Sequence, residues 1–231
     1  MINIYVGVDP SINSSGVTCL AYEDGNLIKE MFYIIKPDKL TKKEDQAEQA
    51  NMNRFMYVIY KKPEYNKENN HEAEYYKTII FRDILDNIKE IISKFINYIT
   101  NGKTIPYMLY VCQEGISYGS SKRTKSVFDL AGLNFLLRMM IISTLRPDKY
   151  IIATPSEIKK KTSGNGNCNK DVMVNLFKSL KPDFDLPKLD DIADSFWMAN
   201  YIKYLSDTED GSYSGCGGLR RGCEADEEKR T

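Results

Sequence analysis

Four carboxylates stand where apolar segments end or begin: Asp9 after the alternating Ile2, Ile4, Val6 and Val8, Glu114 after Tyr107 to Cys112, and Asp191 and Asp194 at the opening of an apolar stretch. Asp191 and Asp194 are three residues apart and share a helix face, and strand-end residues of one open α/β sheet gather along one rim. Acids brought together in this way repel one another unless a cation neutralises them, so the pattern points to a divalent-metal site. Oxygen-only ligands favour Mg²⁺, with Mn²⁺ as a substitute, over zinc. Two such ions about 4 Å apart can activate a water and stabilise the leaving oxygen of a phosphodiester. Each acid also has a plain structural reading. Asp191 suits the first turn of a helix as a charge on its dipole, and Glu114 suits a solvated strand end.

A second set of residues suits a phosphate backbone. Tyr118 lies four residues past Glu114, beside Ser120, Ser121, Lys122, Arg123 and Lys125, which puts an aromatic plane and a cationic patch near the acids. Such an aromatic either wedges into opened DNA or packs its loop onto the core. Lys159, Lys160 and Lys161 read as a solvated helix face or as DNA contacts. The following Gly164, Asn165 and Gly166 allow close backbone approach to a phosphate, which favours contact. His71 is the single histidine, sits in a polar stretch and is assigned no role. Trp197, among Phe196, Met198 and Ala199, reads as core.

The elements that must position these residues follow from periodicity. The N-terminal alternation is a half-buried strand, and Gly16 to Tyr22 with Leu27 to Ile35 around Glu23-Asp24-Gly25-Asn26 reads as a hairpin, so three antiparallel strands open the fold. Residues 36–77 are rich in Lys, Glu, Asn and Tyr with no sustained apolar period, and read as an insertion. Apolar residues from Ile79 to Ile99 keep a helical period that stops at Asn101-Gly102. Tyr107 to Cys112 is a strand that delivers Glu114. Val127 to Leu145 is apolar on several faces, so one face is expected to meet another protein chain through residues such as Leu133, Leu136 and Leu137. Tyr150 to Ala153 reads as a second buried strand, Pro155 starts a short helix, and helices follow over Asp171 to Leu180 and Leu189 to Leu205. The Gly-, Ser- and acid-rich stretch from Ser206 reads as a tail without fixed structure. The expectation is one domain over residues 1–205, an insertion at about 36–77, and a polar tail over 206–231.

Composition narrows the class. With 231 residues, 42% hydrophobic and 28% charged, and with 14 Gly and 8 Pro, the chain is neither fibrous nor wholly disordered, and it is the length of one domain with insertions. The 32 basic and 32 acidic residues cancel only in total: residues 103–181 hold 13 Lys and Arg against 5 Asp and Glu, a local +8 of the kind that meets phosphate backbones. Five unevenly spaced cysteines argue against a disulfide framework and for reduced thiols, and Cys216 and Cys223 lack partners at zinc-finger spacing. Met1 leads straight into the first strand with no basic and apolar leader, and the apolar runs read as too short to span a bilayer. An intracellular, cytoplasmic protein with no membrane partner is expected.

Three segments carry a family resemblance. Asp9-Pro10-Ser11-Ile12-Asn13-Ser14-Ser15-Gly16 resembles the D-P-G-x-x-x-T-G opening of RuvC-type Holliday junction resolvases. Thr154-Pro155-Ser156-Glu157-Ile158-Lys159, Gly164-Asn165-Gly166 and Lys170 resemble that family's P-x-x-V-K-x(4)-G-x-G-x(3)-K segment, and Asp191-Ile192-Ala193-Asp194-Ser195 its D-x-x-D-A helix. The resemblance spans residues 1–35 and 79–205. Ser11 stands where Gly is usual, Gly115 follows Glu114 where Gln is usual, and residues 36–77 have no counterpart, departures that look like phage or viral relatives, with a host-cell cytoplasmic location. It implies an α/β, RNase H-like fold, a mixed central sheet with three N-terminal antiparallel strands flanked by helices. It also implies metal-dependent incision of four-way DNA junctions by a homodimer, leaving 5′-phosphate ends, with Asp9, Glu114, Asp191 and Asp194 holding two Mg²⁺ ions. Lys159 and Lys170 would contact phosphate or stabilise transition-state charge.

Rival readings are an RNase H-fold nuclease for flaps, hybrids or branched packaging intermediates, a non-catalytic junction binder on the same fold, and an actin-like or sugar-kinase-like ATPase. The ATPase needs a second D-x-G loop and a Gly-Gly adenosine motif, which the sequence does not contain in order.

Overall fold

Ile2–Asp9 forms β1, whose two-residue period turns Ile2, Ile4, Val6 and Val8 into one core and Tyr5 and Gly7 toward the opposite face. In the computed structural model, residues 1–64, 69–116 and 124–212 are described, apart from the side chains of 124–126 and 209–212. Ser15–Glu23 (β2) and Asn26–Pro37 (β3) make the expected antiparallel hairpin. Its turn, Asp24-Gly25, has φ of +50° and +81°, the left-handed pair that a two-residue hairpin loop requires. β1 pairs antiparallel with β2 and parallel with Tyr107–Glu114 (β5), and Lys149–Ala153 (β6) adds to the far side of β5. Phe55–Tyr60 (β4) runs parallel to β3 on the other edge, giving the order β4-β3-β2-β1-β5-β6. Only β2 is reversed, so the carboxyl ends of the other five strands share one rim.

Helices cover both faces. Lys42–Asn51 is α1, Asn70–Thr100 α2, Thr124–Met140 α3, Pro155–Ser163 α4, Lys170–Leu180 α5 and Leu189–Ser212 α6, and α3 continues through a π-helical turn at Ile141–Leu145. On one face Ile84, Ile88 and Ile92 of α2, with Leu133, Leu137 and Ile141 of α3 and its extension, pack on β1 and β2. On the other, Phe177 of α5 and Ile192 and Phe196 of α6 pack on Phe32, Ile34 and Phe55, with Phe177 edge-on to Phe32, Phe184 and Phe196. Each fully buried side chain of this size contributes about 1.5–3 kcal/mol. The result is an α/β protein with a mixed sheet between two helical layers. The helix stop at Asn101-Gly102 is as expected: Asn101 takes φ +52° and its amide donates back to Asn97 and Tyr98 carbonyls.

Several expectations are corrected. Residues 36–77 are not a plain excursion: β3 continues to Pro37, α1 and β4 follow, and α2 begins at Asn70. Charged residues conceal α1 because its attachment is polar. Thr41 and Glu44 form a reciprocal N-terminal cap, and the buried Glu44 carboxylate accepts two bonds of 2.7 Å from the Lys36 ammonium. Burial alone would raise the Glu44 pKa, but the bonds from Lys36 and Thr41 outweigh it and hold it low. Leu133 and Leu137 belong to the protein's own core, and the exposed stripe of α3 is Phe128, Phe135, Leu136, Met139 and, one turn on, Ile142. The segment Val127–Leu145, with a mean hydropathy of 1.5, is long and apolar enough to cross a membrane by length and composition, contrary to the expectation that no run is. β6 is a half-buried edge strand rather than a buried one. Finally, α6 carries on past Ser206 to Ser212, held by a Lys203–Asp207 ion pair of 2.6 Å and a Ser206 hydroxyl bonded to the Tyr5 hydroxyl at 3.2 Å. Residues 213–231, with Cys216 and Cys223, lie outside the described residues, and Cys19, Cys112 and Cys168 are free and buried.

Candidate active site

Asp9 closes β1 and Glu114 closes β5, and because these strands are adjacent and parallel, with Val8 opposite Gln113, the two carboxyls meet. α6 supplies the other two acids by crossing very close to the sheet. A Cβ on Gly7 would lie 1.9 Å from the Ser195 carbonyl oxygen, and one on Gly16 would lie 2.2 Å from that of Asp191. Glycine at these two positions lets the helix backbone touch β1 and β2, and a buried 2.8 Å bond between the Thr18 and Ser195 hydroxyls fixes the contact. Asp191 and Asp194 then face the rim where Asp9 and Glu114 end.

Electrostatics register this crowding. The Asp9 carboxyl is raised well above its ordinary value, first by removal from water, then by the charge of and hydrogen bond with Glu114, then by Asp194 and Asp191. Glu114 is also raised, chiefly by burial, and because the two carboxyls hydrogen-bond to one another the pair holds on to a proton between them. Burial likewise raises Asp191, offset in part by a hydrogen bond donated by the Ser14 hydroxyl, and raises Asp194, offset by Lys170. The Lys170 ammonium bridges Asp190 at 2.9 Å and Asp194 at 3.2 Å. Lys159 and Lys170 line a cleft of about 150 Å³ with Glu114 and Asp194, floored by Ile158, Met173 and Met198. As the side chains lie, no three acids among the described residues stand close enough to chelate one ion: Asp9 and Glu114 pair, while Asp191 and Asp194 are drawn to Ser14 and Lys170.

A carboxyl whose folded pKa lies above its ordinary value of about 4 takes up a proton on folding. Stability then falls as pH rises from the ordinary value through the folded value. In a chelating buffer the melting temperature is therefore expected to be higher near pH 5.5 than near pH 7.5, and Asp9→Asn should shrink that difference. A flat profile by scanning calorimetry would contradict the mutual repulsion.

The remaining predicted contacts divide. Lys160 is exposed, and Lys161 turns away from the cleft to lie over the Tyr204 ring, 2.9 Å from its centroid. Gly164 takes φ +80° and ends α4, with its amide on the Lys160 carbonyl. Asn165 accepts from the Asn167 amide at 3.0 Å, and a Cβ on Gly166 would meet the Ser156 carbonyl oxygen at 3.0 Å. This segment thus has a structural role as a helix stop and tight turn. Tyr118, Ser120, Ser121, Lys122 and Arg123 lie outside the described residues, as does the side chain of Lys125. His71 is exposed at the start of α2, and the Trp197 indole donates to the Met173 carbonyl at 3.1 Å beside the Phe196 ring. Sequence reasoning missed Ser14, Asp190 and the two glycines. Ser14 sits inside the quoted Asp9 to Gly16 motif and Asp190 beside Asp191, so adjacency was the available signal.

No family model matches the sequence, and no curated protein matches it. Among solved structures it is similar to Thermus thermophilus RuvC, at 13% identity over 90% of this chain and 97% of that one, with a TM-score of 0.50. The same enzyme in complex with a Holliday junction substrate is matched at 13% identity over 90% and 96%, TM-score 0.50. The yeast mitochondrial Holliday junction resolvase Ydc2 is matched at 10% identity over 89% and 80%, TM-score 0.44. At these identities the likeness to RuvC is one of fold, and the fold is RNase H-like.

Proposed function

We propose that this chain is a structure-selective, metal-dependent endonuclease that resolves four-way DNA junctions by paired symmetric incisions as a homodimer. The observation that carries the reading is the abutting Asp9–Glu114 pair with Asp191 and Asp194 beside it, at a cleft lined by two lysines, on a RuvC-like sheet. The neighbour solved with a Holliday junction supports branched DNA as substrate.

The donor set fits Mg²⁺ or Mn²⁺. It is oxygen-only and carries charge that burial makes costly, and Mg²⁺ commonly takes one or two carboxylates plus water and substrate phosphate, which the Asp9–Glu114 pair supplies. Asp9 and Glu114 would hold the ion, with Asp191 and Asp194 completing the site. Bound there, it supplies an acidified water and charge stabilisation for in-line attack on phosphorus. The protein's own part is to give up the proton that the Asp9–Glu114 pair holds and to present Lys159 and Lys170 to the phosphate. Lys170 at rest neutralises Asp190 and Asp194, and incoming phosphate competes for its ammonium.

Parallel incubation of labelled four-way junction, flap, duplex and RNA/DNA hybrid with Mg²⁺ tests the assignment. Paired symmetric nicks in the junction are expected, and efficient cutting of the hybrid or flap instead would transfer the substrate to another branch of the fold. Because one site cuts one strand, two-fold assembly is required for paired cuts. Phe135 and Met139, 58% and 53% exposed on α3, are apolar enough to serve it. Phe135→Asp with Met139→Asp is expected to give a monomer by sedimentation that at most nicks single strands, and a wild-type chain that sediments as a monomer on the junction would refute the dimer.

A further inference from the structure

β4 runs parallel to β3, β1 and β5, so its carboxyl end reaches the rim that holds Asp9 and Glu114. Two tyrosines leave this edge strand toward opposite layers. Tyr60, buried in the α2 core, donates its hydroxyl to the Ile12 carbonyl at 2.9 Å. Tyr57, buried in the aromatic core under α5 and α6, donates to the Pro187 carbonyl at 3.4 Å. Ile12 belongs to the β1–β2 loop, and Pro187 lies just ahead of α6; both segments carry parts of the carboxylate site. Within the loop, the Ser15 hydroxyl accepts from the Ser11 amide at 3.0 Å and donates to the Ser11 carbonyl at 2.6 Å. The loop's start is thus tied to β2, its middle to Tyr60, and its end, through Ser14, to Asp191.

We infer that β4 braces the carboxylate site. Tyr60 is a positioning residue that holds the β1–β2 loop and, through Ser14, the orientation of Asp191, and Tyr57 does the same more weakly at the entrance to α6. The inference rests on the endonuclease reading for what Asp191 does there. Packing alone does not explain the hydroxyls, since a phenylalanine would fill either core without adding a buried polar group that needs a partner. Partners that move with the acids give those hydroxyls a use, as outer partners of metal-binding carboxylates have in general.

Tyr60→Phe keeps the ring and removes the bond. Its melting temperature is expected to stay within about 3 °C of wild type. Its affinity for Mn²⁺, by titration calorimetry without DNA, should fall about five- to ten-fold. Amide exchange at residues 11–14 should quicken, while junction affinity in Ca²⁺ is unchanged. Ser14→Ala should produce a similar fall, and the double variant should be little worse than either single, because both act along one chain of contacts. Tyr57→Phe, which tests the brace from the other layer even if Tyr60→Phe does not fold, should lose about two-fold. Fully additive losses, or unchanged Mn²⁺ affinity and exchange in Tyr60→Phe, overturn the brace and leave the endonuclease reading standing. A wild-type chain that neither binds Mn²⁺ nor cuts junctions overturns the endonuclease reading, and quicker exchange at residues 11–14 in Tyr60→Phe would then still support the brace.

Discussion

Asp9→Asn should slow strand cleavage by about a thousand-fold or more, equivalent to roughly 4 kcal/mol of transition-state stabilisation, while junction affinity stays within a few-fold of wild type. The amide is isosteric with the carboxylic acid and can still donate a hydrogen bond to Glu114, so the substitution leaves the packing of the rim intact. It removes the charge that the site gains when the pair loses its proton. Single-turnover cleavage measures the first expectation, and gel retardation in Ca²⁺ the second. A variant that still cuts at the wild-type rate would remove Asp9 from the chemistry.

Gly7→Ala is expected to destabilise the protein by about 3 kcal/mol or more, lowering its melting temperature by about 6–12 °C. Contacts of 1.9 Å to the Ser195 carbonyl oxygen and 2.6 Å to the Ala199 nitrogen are backbone contacts that no side-chain rotation relieves, so α6 must lift from the sheet. The same displacement carries Asp191 and Asp194 away from Asp9, so activity should fall by more than the loss of folded protein explains. Gly132→Ala in α3 is the control. Its Cβ would sit 3.6 Å from the Phe81 ring, an ordinary contact, and alanine suits a helix interior better, so stability should hold or rise by up to about 1 kcal/mol. Thermal unfolding of both variants compares the two expectations, and equal melting temperatures would refute the close-approach account.

How far the sequence reveals this depends on whether the cause of a feature is local. Asp24-Gly25 and Asn101-Gly102 are read correctly because backbone conformation at turns and helix ends is set by the residues themselves. Asp9 and Glu114 are expected on one rim as strand-end residues, and the adjacency that makes them a pair comes from the parallel pairing of β1 with β5. β4 and α1 escape notice because their support comes from elsewhere: β4 is six residues set between charged stretches, and α1 is anchored by the Lys36–Glu44 pair rather than by an apolar stripe. The Ser14–Asp191 bond joins residues 177 positions apart, and no periodicity announces it. On α3, apolar residues on every side conceal which leucines face inward until the sheet is in place.

The contact of α6 with Gly7 and Gly16 also dictates where this chain can change length. One residue added between Asp191 and Ala199 would turn the contact at Gly16 and the contact at Gly7 about 100° out of register around the helix axis, so that α6 could not keep both and hold its aspartates at the rim. Residues added between Pro37 and Phe55, or between Tyr60 and Asn70, cause no such rotation, because β4 ends in tyrosines whose reach to Ile12 and Pro187 is set by strand register, not by the spacer that precedes or follows it. Insertions and deletions should therefore collect on either side of β4 and be absent from the first three turns of α6.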